Sequence, residues 1–123
     1  MESKIKEIEI NGIKYVPKNS LAQEATRLDG LQYVIVRAET AGVFAGYLEK
    51  KEADEVTLRN VRRLWYWSGA SSCSALALDG VSKPESCKFT APNSKILVRK
   101  WIEILDCTKK AQTIIEGVKI WIP

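Results

Sequence analysis

Between Asn60 and Ser72 the chain reads Asn-Val-Arg-Arg-Leu-Trp-Tyr-Trp-Ser-Gly-Ala-Ser-Ser, its densest run of cations and aromatic rings. In an extended strand alternate side chains share a face. That sets Arg63, Trp65 and Trp67 on one side, with Arg62, Leu64 and Tyr66 on the other. An arginine beside flat rings suits a nucleotide, because a base stacks on the ring while the guanidinium pairs with a phosphate. The same tryptophans would serve equally as core in a chain this short, since large aromatics dominate burial. Just beyond, Ser68-Gly69 ends the strand, and Ser71 and Ser72 lead into a helix. Main-chain N–H groups at a helix start, joined by serine hydroxyls, can hold an anion without any catalytic residue. Plain capping is the commoner role of such a serine.

Four more residues join this set. Arg37 and Phe44 flank the turn Thr40-Ala41-Gly42, Asn60 sits at an expected bend, and Lys83 stands on the rigid Ser82-Lys83-Pro84 loop within reach of a phosphate. The candidate ligand-binding residues are therefore Arg37, Phe44, Asn60, Arg63, Trp67, Ser72 and Lys83. Trp101 and Trp121 alternate opposite to the isoleucines of their segments, facing a second apolar layer or another copy of the chain. No P-loop and no G-x-G-x-x-G occurs, so the usual nucleotide motifs are absent.

Histidine is absent altogether. Its absence removes the commonest general base, the Ser-His and Cys-His nucleophile pairs and the commonest metal ligand. No paired-carboxylate motif stands out either. Cys73, Cys87 and Cys107 are widely spaced with no Cys-x-x-Cys pair, so free thiols are expected rather than a zinc site. The expectation is a protein that binds without catalysing, with no cofactor and no metal.

Positioning such residues calls for a small sheet. Ile5 to Ile10 and Ile13 to Val16 flank Asn11-Gly12, a two-residue hairpin signal ended by Pro17. Leu21 to Leu28 has the makings of a short helix with Ser20 as cap and Gly30 as stop. Leu31–Glu39, Val43–Glu49 and Glu55–Trp67 read as successive strands. The last is long enough to predict a bulge or bend near Asn60, and Gly46 predicts a close approach of backbone or ligand. A serine-capped helix over Cys73 to Leu78 stops at Gly80, and Val81 to Ser94 reads as a structured loop. Lys95–Leu105 is one strand with Ile96, Val98, Ile102 and Ile104 on one face. Asp106 or Thr108 then caps a helix ending at Gly117, and Val118–Ile122 closes as a strand. The class is α+β: a mainly antiparallel twisted sheet with two or three short helices, one domain over 1–123, comprising an N-terminal hairpin over 1–17 and a main body over 31–122.

Bulk properties agree. A chain of 123 residues, 46% hydrophobic and 28% charged, fits one core. No apolar run approaches the ~20 residues that cross a bilayer, and the N-terminus lacks a signal-peptide core, so a cytoplasmic location is expected. The net charge of +4 is uneven: residues 1–60 balance at −1 and residues 61–123 at +5. The excess suits a small phosphorylated ligand better than a nucleic acid, although solubility alone would also explain it.

The strings Val34-Ile35-Val36-Arg37, Ala41 to Leu48, Asn60 to Ala70, Ser82-Lys83-Pro84-Glu85 and Cys87-Lys88-Phe89 resemble the Thoeris anti-defence family of phage proteins. The likeness runs from about Leu31 to Trp121. Members of that family are sponges. They bind cyclic ADP-ribose isomers made by the TIR-domain enzyme of the bacterial Thoeris system and hold them unchanged, and some also capture cyclic oligonucleotides. The resemblance thus implies a homodimer or higher homo-oligomer with ligand pockets at subunit interfaces, working in the cytoplasm of an infected bacterium. It implies no membrane and no stable nucleic-acid partner. Two alternatives stay open: a single-stranded nucleic-acid binding module on the same aromatic strand, or a phage structural or assembly protein.

Overall fold

The computed structural model describes residues 23–123 in full and the backbone of residues 8–10 and 13–15. Strands β1 (Ile8–Ile10) and β2 (Ile13–Tyr15) pair antiparallel with Ile10 opposite Ile13, the register a two-residue connection sets. Residues 11, 12 and 17 of the expected hairpin lie outside the described residues.

The main body runs β3 (Gln32–Ala38), β4 (Val43–Glu52), β5 (Glu55–Tyr66), α1 (Cys73–Asp79), a 3₁₀ turn at Pro84–Ser86, β6 (Lys88–Phe89), β7 (Asn93–Arg99), β8 (Trp101–Asp106) and α2 (Lys109–Gly117). Six strands form an antiparallel sheet in which β6-β5-β4-β3-β8 are neighbours and β7 also pairs with β5. The α+β expectation holds.

Strand β3 explains its own apolar run. Tyr33 and Ile35 pack with Ala45, Tyr47 and Leu64 beneath the helices, where Leu76 of α1 and Ala111 and Ile115 of α2 meet them. Val34, Val36 and Ala38 point the other way, into a second cluster with Phe44, Val56, Leu58, Val61 and Val98. Both faces are covered, so consecutive residues are apolar rather than alternating. Burying each such side chain contributes about 1.5–3 kcal/mol.

The second cluster is enclosed by the strands themselves, because the sheet coils. Arg99 at the end of β7 faces Glu55, while Trp101 at the start of β8 faces Ala38. Lys100 alone joins the two, at φ +58, with its N–H donating to Asp54 O (2.7 Å) and its carbonyl accepting from Glu39 N (2.9 Å). The strands therefore make a circuit, β3-β4-β5-β7-β8, turned at a single left-handed lysine.

That corner corrects the expectation of one strand over 95–105. The isoleucine and valine positions keep the same parity on both sides of Lys100, which hides the break, and Ile102 ends up 48% exposed. Trp101 packs against the second apolar cluster, one of the two roles expected of it, while its Nε1 donates to Ala53 O (3.1 Å) and Lys51 sits over its ring. Over residues 23–28 the expected helix is instead an extended strap, Leu21 lying outside the described residues. Ala25 N donates to Cys107 O, Lys109 N to Gln23 O and Thr26 N to Gln112 Oε1, so partners around the start of α2 replace helical bonds. The tail after Gly117 makes one parallel bridge, Ile120 to Phe89, rather than a strand, since β6 offers only two residues to pair with. The loop from Val81 holds the 3₁₀ turn and β6, and β7 already begins at Asn93. Helices α1 and α2 are capped by Ser72 and Thr108, whose side chains accept from Ala75 N and Ala111 N.

Candidate functional site

The bulge in β5 builds a small polar recess. Across β4, Ala45 faces Arg62 and Tyr47 faces Arg59, so an extra residue is accommodated opposite Gly46. Asn60 takes the strain at φ +47, a conformation that asparagine tolerates better than most residues. Gly46 permits the approach: a β-carbon there would lie 2.7 Å from Val61 Cβ. The cavity beside the bulge measures about 200 Å³ and is lined by Tyr33, Asn60, Arg62, Pro92 and Glu116.

Arg62 anchors it. The side chain is only 4% exposed, stacks on Phe89, and donates to Thr90 O (2.7 Å), Ile115 O (2.8 Å) and Phe89 O (3.2 Å). It forms no ion pair among the described residues. Burial lowers its pKa, while the charges that Tyr33 and Glu116 carry when ionised act against that shift. Two of its five N–H groups remain without a partner among the described residues. Glu116 Oε2 accepts from Tyr47 OH (2.8 Å), which in turn accepts from Gln112 Nε2 (3.1 Å). Burial first, then the hydrogen bond and charge of Glu116, push the Tyr47 phenol up to about 12. Tyr33, edge-on to Tyr47 at 4.9 Å, is raised well above its ordinary value, chiefly by burial.

The seven residues singled out in the sequence fall into three places. Asn60 lines the cavity. Arg63 stacks on Phe44 at 4.5 Å and donates to Ala41 O, tying β5 to the β3–β4 turn, where Arg37 pairs with Glu103 (2.9 Å). Phe44 itself is 1% exposed, a core residue whose ring is covered by that guanidinium. Trp67, Ser72 and Lys83 belong to the stretch after β5. Trp67 packs against the cluster beneath the helices, not on the Arg63 side, because Leu64 and Tyr66 pair with consecutive residues of β6 and the bulge ends the alternation. Ser72 is the cap of α1, and exposed Lys83 lends its carbonyl to Ser86 N and Cys87 Sγ. Of the seven, Asn60 alone lines one of the three recesses at the bulge, the tail and the α1–α2 junction.

Sequence reasoning passed over Arg62, Tyr33, Pro92 and Glu116. A signal for Arg62 was present: it shares strand parity with Leu64, a charge on the core-facing side of a strand. Glu116 and Pro92 are brought in from α2 and the β6–β7 loop, and nothing local marks them.

Two larger grooves are less chemical. One of about 720 Å³ runs along the tail and is lined by Cys87, Lys119, Ile120, Trp121 and Ile122, with Pro84, Glu85 and Gly117. At its rim Trp65, 63% exposed, lies 6.5 Å from the Trp121 ring at 27°, and Lys88 stands over the latter at 5.5 Å. The other, of about 570 Å³, lies where α1 meets α2. All three thiols are buried and raised in pKa by that burial, Cys107 to about 12. Among the described residues no group of three or more metal-ligating side chains comes together. No helix among them is long and apolar enough to cross a membrane.

A family model described as Domain of unknown function (DUF6948) matches residues 31–115, more than half of the chain. The protein belongs to the DUF6948 family. The matched span begins at the foot of β3 and ends in α2, so the whole lining of the bulge cavity except Glu116 falls inside the DUF6948 domain. No curated protein and no solved structure matches the chain.

Proposed function

We propose that the protein binds a cyclic ADP-ribose-type signalling nucleotide and sequesters it unreacted, so inhibiting Thoeris anti-phage defence. The observation that carries this reading is the bulge cavity: a buried guanidinium held by main-chain carbonyls without an ion pair among the described residues, beside an amide, a phenol and the Glu116 carboxylate. Such a recess holds polar groups in place, whereas catalysis requires groups aimed at a transition state. The resemblance strings give further support, since they fall on β3, β4, β5 and the loop after α1, the elements that carry the cations and rings described above.

A cavity of about 200 Å³ is smaller than the ~300–1,000 Å³ typical of whole-ligand pockets. It takes one end of the nucleotide, and a second copy of the chain covers the rest. Competing with a receptor calls for nanomolar affinity, roughly −12 kcal/mol, which near-complete burial provides. Calorimetric titration with cyclic ADP-ribose isomers tests this. The expected result is a Kd that changes little between low and high salt, and Arg63→Ala weakens capture about tenfold or more. Absence of binding to any isomer would overturn it.

One observation favours a second reading, a single-stranded nucleic-acid module. Exposed Trp65 and half-buried Trp121 stack beside Lys88, as a base-stacking edge would. Affinity that grows with oligonucleotide length and falls steeply with salt would decide for it.

A further inference from the structure

We infer that the bulge cavity receives the neighbouring hydroxyls of a ribose-type sugar. This rests on the sequestration reading only in placing a nucleotide on the protein, and it says which end of that nucleotide enters. The lining is mixed in character. Among the described residues Arg62 keeps two N–H groups beyond the three that bond carbonyls, and the buried Tyr33 adds its phenol to the lining. Asn60 offers both a donor and an acceptor, and Glu116 has one carboxylate oxygen left once Oε2 has accepted the hydrogen bond from Tyr47 OH. A sugar hydroxyl both donates and accepts, so two adjacent ones match such a lining. A phosphate only accepts. Placed here it would meet the Glu116 carboxylate as well as Arg62, and like charges at short range repel.

Size points the same way. About 200 Å³ equals the share of roughly six or seven waters at ~30 Å³ each, room for a five-carbon sugar but not for a base and sugar together. Pro92 closes one side with an apolar surface suited to the ring carbons.

The test is calorimetric titration with matched pairs: adenosine against 2′-deoxyadenosine, ribose 5-phosphate against 2-deoxyribose 5-phosphate, and inorganic phosphate alone. The ribo member of each pair should bind at least about tenfold more tightly, and phosphate should not bind. Asn60→Gly, which preserves the positive φ while deleting the amide, and Glu116→Gln should each reduce ribo binding about tenfold while leaving the thermal midpoint within a few degrees. Equal affinity for the deoxy members, binding of phosphate alone, or no ribo binding would overturn the inference. Capture of cyclic ADP-ribose isomers that Asn60→Gly leaves unchanged would keep the sequestration reading and reject the sugar cavity. Binding of ribosides without capture of any cyclic isomer would do the reverse.

Discussion

Arg62 and Arg63 are chain neighbours with opposite fates. Arg62 turns inward and donates to three carbonyls, those of Phe89 in β6, Thr90 just after it and Ile115 in α2; Arg63 turns outward over Phe44. Replacing Arg62 with methionine would deprive Thr90 O of its donor, while Phe89 O and Ile115 O keep Trp121 N and Val118 N, so a loss of about 1–3 kcal/mol is expected in urea unfolding. The thiols are equally committed to the interior. Native protein should react with a disulfide reagent at pH 8 at least about a hundredfold more slowly than a free thiol, and all three should react at once in denaturant. High pH probes the same burial. Cys107 and Tyr47 hold their protons to about 12 in the native protein, against ordinary values of 9.0 and 10.0. The native state therefore binds these protons more tightly than the unfolded chain. The stability they contribute is intact below pH 9 and drains away as pH climbs from about 9 towards 12. Urea midpoints measured from pH 8 to 12 should fall over that window, and less steeply in Tyr47→Phe.

Among the elements, β5 depends on a pair of residues on two strands. Asn60 supplies the left-handed step and Gly46 the space for it. Gly46→Ala should destabilise by about 1–3 kcal/mol, because its new methyl meets the Val61 backbone as well as the side chain. Lys100→Gly should be neutral or stabilising by up to about 1 kcal/mol, since glycine adopts φ +58 without strain. Unfolding curves of both variants check these values. The bulge was legible in sequence because twelve consecutive strand residues from Glu55 to Tyr66 exceed an ordinary strand and contain an asparagine. The corner at Lys100 was not: a lysine in a left-handed turn carries no compositional mark, and the apolar parity runs through it. The strap over residues 23–28 escaped for a related reason, because its amides are satisfied by α2, more than eighty residues on.

For the whole molecule, the α+β class and the central hairpins followed from local pattern, whereas the cavity depends on residues that only the coiled sheet and α2 bring together. Tyr33, Arg62 and Glu116 come from three elements, so no motif could announce them. Arg63 covers Phe44 of one apolar cluster and Trp67 packs on the other, so the proposed pocket would draw on a second copy to bring such residues together. Sequestration then requires a molecule that grips a cyclic nucleotide and leaves every bond in place. The most direct measurement is to saturate the protein with a cyclic ADP-ribose isomer, remove free ligand, heat-denature the complex and weigh what is released by mass spectrometry. Recovery of the isomer at its original mass in stoichiometric amount is the predicted result; release of nothing, or of a linear product, would contradict it.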